Sequence, residues 1–390
     1  MMDALKTKQL SENVFDYVVA FRRDLHMHPE PSLQEFETTK KVAAELDQMG
    51  ISYRLMNPTG LIAEMKGEKP GTGCVAIRGD MDCLTIQEKT DVPFKSTVDG
   101  LMHACGHDSH TAMLLGAAKV LQGLKSEFAG TVRFLFQPAE EVAQGAKLFV
   151  QQGALEGVDY CFGQHVMAQY PAGQIFGAAG PTHAECDKFT IKIKGHTCHG
   201  AMPEQGIDAT VCAAAMIMNL QTLVSREFNP MDPLVVTVGQ VHSGSRFNIV
   251  SGEAWMDGTV RCFNRDIAHA IPGVMERVVK ETAATFRCTA ELVYEQFTDV
   301  LFNDDDAMAI GKTAAEKVAP DHVMHKLSPI NGSEDFAEYT AHAKSGFFML
   351  GCGGDYPQHS DYFYVDEESF KTGVALYVQV ALDTLDALQK

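Results

Sequence analysis

Short apolar runs with strand character alternate with helical patterns in the first part of this 390-residue chain. The runs are LIAEM at 61–65, CVAIRGD at 74–80, TVRFLFQ at 131–137 and CFGQHV at 161–166. Helical patterns near 108–124 and 142–152 separate the last three. Strands joined by helical crossovers form parallel pairs, so the alternation predicts an α/β fold: a mixed, mostly parallel sheet flanked by helices.

The pattern changes near residue 186 and returns to the α/β rhythm after about residue 298. Between them come a strand, a helix, two strands, a helix and a strand: KFTIKIKG, 207–226, PLVVTVGQV, GEAWMDGTVRCF, 266–285 and TAELVYE. This βαββαβ order is typical of a ferredoxin-like domain that folds independently. We therefore predict a domain at 186–297 inserted in a larger one that comprises 1–185 and 298–390.

Charge and cysteine usage restrict the partners and the compartment. The formal net charge of −19 argues against nucleic acid or an anionic membrane surface as a partner. No apolar stretch reaches the ~18 residues of a membrane helix, and the N-terminal residues lack the apolar core of a signal peptide. The ten cysteines are scattered without a CxxC pair, which indicates buried thiols in a reducing cytoplasm.

The densest chemical signal is MHACGHDSH at 102–110. Cys105 and His107 flank one glycine just before a predicted helix, with Asp108 as its expected N-cap. Thiolate sulfur and imidazole nitrogen bind zinc-like metals, and a loop at a helix start can direct both at one point. The alternative is a loop whose histidines only cap and pack.

A second signal is FQPAEE at 136–141, at the carboxyl end of an apolar strand, where α/β sheets bind ligands. Glu140 and Glu141 are adjacent and point in different directions, so one can ligate a metal while the other transfers a proton. The alternative is that both face the positive start of the next helix.

Two isolated histidines complete the pattern. His165 ends the run CFGQHV, and His359 lies in DYPQHSDYF before the last predicted helix. Either alone is more often structural. However, Cys105, His107, Glu141 and His165 all follow strand ends of one predicted sheet, which favours a shared metal centre.

Six segments carry a resemblance to a known family: RRDLHMHPEPSLQE, RGDMDCLTIQE, MHACGHDSHTAMLLGAAKVL, GTVRFLFQPAEE, SEDFAEY and HSDYF. Over nearly its whole length the chain resembles the amidohydrolase branch of the carboxypeptidase G and aminoacylase type of metallopeptidases. That branch includes hippurate hydrolases, N-acyl-amino-acid deacylases and auxin-conjugate hydrolases. The resemblance implies a metal-dependent hydrolase that cleaves the linear amide bond of N-acyl, foremost N-acetyl, amino acids.

Carried over by position, the resemblance implies two divalent metal ions per subunit, of zinc, manganese, cobalt or nickel. Cys105 would bridge them, and the other ligands would be His107, Glu141, His165 and His359. Glu140 matches the general base, and Asp82 matches a carboxylate that orients a ligand.

The inserted domain also matches, as a lid and dimerisation domain. His199 in GHTCHGAMP aligns with a histidine that reaches the neighbouring subunit's active site and polarises the scissile carbonyl, which implies a homodimer or homotetramer. Asn248 and Arg261 match a pair that holds the substrate's carboxylate, and the guanidinium fork of Arg261 suits that task. The alternative for Arg261 is an ordinary arginine on a strand surface.

Departures from the family pattern leave the acyl group and the amino acid open. Thr197 and Cys198 replace two glycines, and Thr85 and Asp361 replace prolines. A dipeptidase or aminopeptidase with the same dinuclear site is the alternative function. Two further alternatives are a non-catalytic binding protein on this scaffold and a redox protein.

Overall fold

The computed structural model describes residues 4–390 and divides them into two compact units. The first unit runs to Gly180 and includes Phe302–Ser328 and Asp335–Lys390; the second comprises Pro181–Leu301 and Pro329–Glu334. Among the described residues, no helix is long and apolar enough to cross a membrane.

Helices and strands are numbered here in chain order. The helices are α1 Ala4–Asn13, α2 Phe15–Met27, α3 Phe36–Met49, α4 His107–Gln122, α5 Gly145–Gln151, α6 Ala209–Thr222, α7 Arg265–Thr285, α8 Asp305–Val318 and α9 Ser369–Leu388. The strands are β1 Ser52–Leu55, β2 Leu61–Lys66, β3 Lys69–Asp80, β4 Ala129–Gln137, β5 Tyr160–Met167, β6 Ile175–Gly177, β7 Gly180–His183, β8 Cys186–Lys194, β9 Cys198–His199, β10 Leu234–Ser243, β11 Ile249–Val250, β12 Glu253–Cys262, β13 Thr289–Thr298, β14 Leu301–Asn303, β15 Met324–Lys326 and β16 Lys344–Gly351.

The first unit contains an eight-stranded sheet with the order β1-β2-β4-β3-β5-β16-β6-β15. Its central pairs β4–β3, β3–β5 and β5–β16 are parallel, as is β6–β15, whereas β1–β2, β2–β4 and β16–β6 are antiparallel. Helices α4 and α9 pack against β3, α2 packs on α4, and α8 packs on α9. The prediction of a mixed, mostly parallel sheet flanked by helices is confirmed.

Close helix packing holds the core of this unit together. Every residue of α4 except Lys119 and Gln122 is buried, and small residues lie at its centre. A Cβ atom built on Gly116 would lie 2.5 Å from Val18 of α2 and 3.1 Å from Val374 of α9. Glycine at position 116 therefore lets three helices approach one another at a dense apolar core.

The second unit has a four-stranded antiparallel sheet with the order β10-β12-β8-β13, and α6 and α7 cover one face. The chain order β8-α6-β10-β12-α7-β13 matches the predicted ferredoxin-like arrangement. Side-chain caps begin both helices: Asp208 accepts from two backbone N–H groups of α6, and Asn264 accepts from one in α7.

Candidate metal centre

Parallel strands bring chemically active residues to one edge of the large sheet. β3 is paired with β4 and β5 in parallel, so the carboxyl ends of all three lie together. Asp82 follows β3, Glu140 and Glu141 follow β4, and His165 lies near the end of β5. Cys105 and His107 lie at the start of α4, and the helix packs against β3.

One group of donor atoms consists of Cys105, His107 and His165, all buried. Their ligand atoms lie within 4.8 Å of one another. The Cys105 Sγ atom lies 3.3 Å from His165 Nε2. The His165 ring donates through Nδ1 to the Val166 carbonyl at 2.6 Å, so its Nε2 lone pair is available for a metal.

A second group consists of Cys105, Glu141 and His359. His359 Nε2 lies 3.5 Å from Glu141 Oε2, and the His359 side chain is 56% exposed. The backbone at His359 has a φ of 66°, and its N–H donates to the Ala104 carbonyl at 2.8 Å. Both groups contain Cys105, so one sulfur can serve two adjacent ions.

Two unpartnered atoms test whether this arrangement fits a metal. His107 Nε2 and Glu141 Oε1 are buried without a hydrogen-bond partner, and they lie 3.9 Å apart. Leaving either atom unpaired in a dry interior is costly, and an ion in each donor group would satisfy both, one beside His107 and the other beside Glu141.

The chemistry of the Cys105 thiol also fits a bound metal. Burial raises its pKa well above the usual range, and the charge of Glu141 adds to that increase. A divalent cation reverses this balance because it deprotonates a coordinating thiol. The donor set of thiolate, imidazoles and a carboxylate therefore fits divalent ions of the zinc type.

Asp82 orients His107. Its Oδ1 atom and its carbonyl oxygen each lie 3.1 Å from His107 Nδ1, so Nδ1 donates and Nε2 carries the lone pair. Asp82 also accepts from the backbone N–H groups of Glu140 and Glu141, and from the Ser32 hydroxyl. Burial alone would raise the pKa of Asp82, but the hydrogen bond and charge of His107 outweigh it and lower this pKa.

The turn after β4 directs the two glutamates differently. Ala139 has a φ of 55°, and its N–H donates to Glu35 Oε1 at 2.9 Å. Burial raises the pKa of Glu35 to about 7. Glu140 Oε2 lies 3.9 Å from His107 Nε2, and Glu140 Oε1 accepts from the Asp335 N–H at 3.4 Å. Glu140 thus lies beside both donor groups without belonging to the Cys105 groups.

Asp80 and His110 are supporting residues that the sequence interpretation missed. His110 Nδ1 donates to Asp80 Oδ1 at 2.6 Å, and His110 Nε2 accepts from the Val166 N–H at 2.9 Å. Asp80 Oδ2 lies 3.6 Å from His107 Nε2. The signal in the sequence is the spacing of His107 and His110, which places both rings on one face of α4.

The expected N-cap role of Asp108 is wrong. Helix α4 begins at His107 with Gly106 as its N-cap residue, so Asp108 lies inside the first turn. Its carboxylate accepts from His26 Nδ1 at 2.6 Å and lies 2.9 Å from the Arg22 guanidinium. Both buried partners belong to α2, so contacts with that helix, and not a capping hydrogen bond, determine the position of Asp108.

The remaining predicted residues lie in the second unit. β9 pairs with β11, which places the exposed His199 opposite Ile249, and the backbone carbonyl of Asn248 accepts from the Gly200 N–H at 2.9 Å. His199 Nδ1 accepts from the Ala201 N–H at 3.1 Å. Arg261 lies in β12, half-buried, and donates to the Val260 carbonyl at 2.8 Å.

Known proteins resemble the chain over nearly its full length. The sequence profile of peptidase family M20/M25/M40 matches residues 76–383. The N-acetylcysteine deacetylase of Bacillus subtilis (strain 168) is 39% identical, and the match covers 95% of this chain and 98% of that protein. The thermostable carboxypeptidase 2 of Saccharolobus solfataricus is 34% identical, with 97% and 98% covered.

A solved structure has the same fold. It is a Bacillus subtilis protein described as a dinuclear metal binding peptidase from the M20 family. It is 36% identical to this chain, with a TM-score of 0.86 and coverage of 96% and 99%.

Proposed function

The chain belongs to peptidase family M20/M25/M40, and we propose that it hydrolyses the amide bond of N-acyl amino acids, foremost N-acetyl ones. The observation that carries this proposal is the pair of donor groups that share Cys105, with Glu140 beside them. Its support from relatives is the deacetylase, which is named for an N-acetyl amino acid.

Two divalent ions are proposed, as in the dinuclear structural relative. Cys105, His107 and His165 would hold one ion, and Cys105, Glu141 and His359 would hold the other. Bound there, the ions would supply Lewis acidity and a water of lowered pKa. The thiolate and imidazole donors suit zinc, manganese, cobalt or nickel.

Glu140 is the proposed general base and acid. Its carboxylate accepts the proton of the attacking water and returns that proton to the departing amine nitrogen. The Asp335 N–H donates to one oxygen, and the other oxygen faces the donor groups at 3.9 Å from His107 Nε2. Asp82 assists by holding His107 in the tautomer that leaves Nε2 unprotonated.

Three residues of the second unit are proposed to bind substrate. The Ala201 N–H occupies His199 Nδ1, so the proton lies on Nε2, where it can donate to the oxygen of a scissile carbonyl. Arg261 and Asn248 would hold the substrate's carboxylate. We propose that His199 serves a second copy of the chain in a homodimer or homotetramer formed through the lid domain.

A mixing experiment tests this sharing of residues. His199→Ala and Glu140→Ala chains, each inactive, are combined under conditions of verified subunit exchange. Mixed dimers should regain part of the wild-type activity, since one of their two sites has both residues. No recovery would assign His199 to the site of its own chain.

A cytoplasmic location is proposed from the cysteines. All ten are free thiols, and eight of them, including Cys105, are buried. Unpaired thiols are typical of reducing compartments. Fractionation of the native host with a thiol-trapping reagent tests this proposal, and recovery from an extracytoplasmic fraction would contradict it.

Cleavage of free peptides is the second candidate function. It is favoured by the 34% identical relative, which is named a carboxypeptidase. Metal-free protein should be incubated with each of the four metals and offered N-acetyl, N-benzoyl and N-succinyl amino acids beside dipeptides, with amine release as the readout. Metal-dependent cleavage of N-acyl substrates is the expected result; cleavage of dipeptides alone would establish the peptidase instead.

A further inference from the structure

The loop between β16 and α9 and the segment 90–92 line an open cavity in the first unit. Its volume is about 620 Å³, within the range of small-molecule sites. It is lined by Thr90, Asp91, Val92, Gly353, Gly354, Asp355, Tyr356, Tyr362, Tyr364 and Asp366. The proposed metal ligands and Glu140 are not among the lining residues.

Aromatic rings form much of the wall. Tyr356 and Tyr362 stack with ring centroids 5.2 Å apart and planes 29° from parallel. Their exposures are 47% and 41%, and that of Tyr364 is 42%. Large ring surfaces that remain open to solvent in one place are characteristic of binding sites.

The charge of the lining is entirely negative. Asp91, Asp355 and Asp366 contribute carboxylates, and the lining includes no lysine or arginine. Lys89, next to Thr90 in the chain, forms an ion pair with Asp361 at 2.7 Å. The electron-rich faces of tyrosine rings also attract cations, so rings and carboxylates select the same class of ligand.

The geometry favours an organic cation over a metal ion. Among the described residues, the groups whose donor atoms converge closely enough for a metal do not include these three aspartates. A hydrated metal ion also gains little from aromatic faces, whereas an alkylammonium head is large and weakly hydrated.

Backbone hydrogen bonds hold the cavity in this shape. The Lys89 N–H donates to the Asp361 carbonyl at 2.8 Å, and the Gly353 N–H donates to the Tyr170 carbonyl at 2.9 Å. Gly354 has a φ of 138°, and a Cβ there would lie 3.0 Å from the Tyr364 carbonyl oxygen. A wall that is already ordered reduces the entropy lost when a ligand binds.

We infer that this cavity binds a small organic cation of the alkylammonium class, as a site separate from the metal centre. The stacked tyrosines contact the head group, and the aspartates neutralise its charge. Choline and 3,3-dimethylbutan-1-ol provide a matched pair of probes because they have the same shape and differ in charge.

The test is a calorimetric or NMR titration of the full chain with each probe, and it requires neither metal nor turnover. Choline should bind saturably and at least ~5-fold more tightly than the neutral alcohol. Equal affinity for the two probes, or no saturable binding of choline, would overturn the inference.

Variants locate the binding. Tyr362→Leu should weaken choline binding at least ~5-fold, whereas Tyr362→Phe, which keeps the ring face, should retain it. Asp355→Asn should also weaken it, while Asp305→Asn, an exposed acidic position in the first turn of α8, is the control for general charge attraction. Equal losses in the two asparagine variants, or an unchanged Tyr362→Leu variant, would contradict a site at this cavity.

Discussion

Replacement of Asp82 by asparagine changes one buried atom and leaves every proposed metal ligand in place. Asp82 Oδ1 accepts from His107 Nδ1 and from the Glu140 N–H, each at 3.1 Å. Asp82 Oδ2 accepts from the Glu141 N–H at 3.1 Å and from the Ser32 hydroxyl at 2.7 Å. An asparagine side chain replaces one oxygen by an NH₂ group, so at least one N–H donor must face another donor.

The magnitude follows from this geometry. A buried donor without an acceptor costs about 1–3 kcal/mol. An NH₂ group in the place of Oδ1 faces the ring of His107 and the backbone N–H of Glu140, and one in the place of Oδ2 faces the backbone N–H of Glu141. Removal of the carboxylate partner of a ligating histidine typically lowers metal affinity about 10–100-fold. We therefore expect the metal Kd of Asp82→Asn to rise by that factor, with a smaller change in kcat at saturating metal.

The assay is competition for metal between the protein and a chromogenic chelator. Ser32→Ala is the matched control, since it removes one of the donors to Asp82 and leaves the carboxylate intact. Its metal Kd should change much less than that of Asp82→Asn. If the two variants bind metal equally well, or if Asp82→Asn binds it as tightly as the wild type, Asp82 does not orient His107 as argued.

Three further predictions concern catalysis, packing and pH. Glu140→Ala should keep its metal and lose about 10²–10⁴-fold in kcat. Cys105→Ala should instead lose metal, as measured by elemental analysis. Near-normal kcat in the metal-loaded Glu140→Ala variant would contradict the role of Glu140 as general base. Gly116→Ala should lower the thermal unfolding temperature, because the added Cβ would lie 2.5 Å from Val18. Overpacking of this kind lowers the free energy of unfolding by about 1–3 kcal/mol. An unchanged unfolding temperature would show that α2 and α4 can move apart without cost. Burial raises the pKa of Glu185 from 4.5 to about 8, so the native state retains a proton that the unfolded chain has lost. The free energy of unfolding should therefore fall as the pH rises from 4.5 to about 8. Chemical denaturation of Glu185→Gln should show a weaker pH dependence of this free energy over the same range.

The fold class could be predicted from the sequence because it depends on local periodicity. Apolar runs such as 131–137 became strands, and the change of pattern near residue 186 marks the antiparallel sheet of the second unit. Helix boundaries were less predictable: the helical pattern near 142–152 corresponds to a shorter helix, α5, which begins at Gly145 and ends at Gln151. Such limits depend on side chains packed from elsewhere in the chain.

The candidate site divides in the same way. Strand ends and the adjacent Glu140 and Glu141 could be recognised in the sequence because parallel strands bring their carboxyl ends to one edge. Only the tertiary structure decided which atoms face each other. It places His107 Nε2 opposite Glu141 Oε1, and it places Asp108 against the buried Arg22 instead of at a helix cap. Arg22, for example, contacts Glu367, which is 345 residues away. Secondary-structure patterns act over a few residues, whereas these contacts exist only after distant helices and strands have packed into one core.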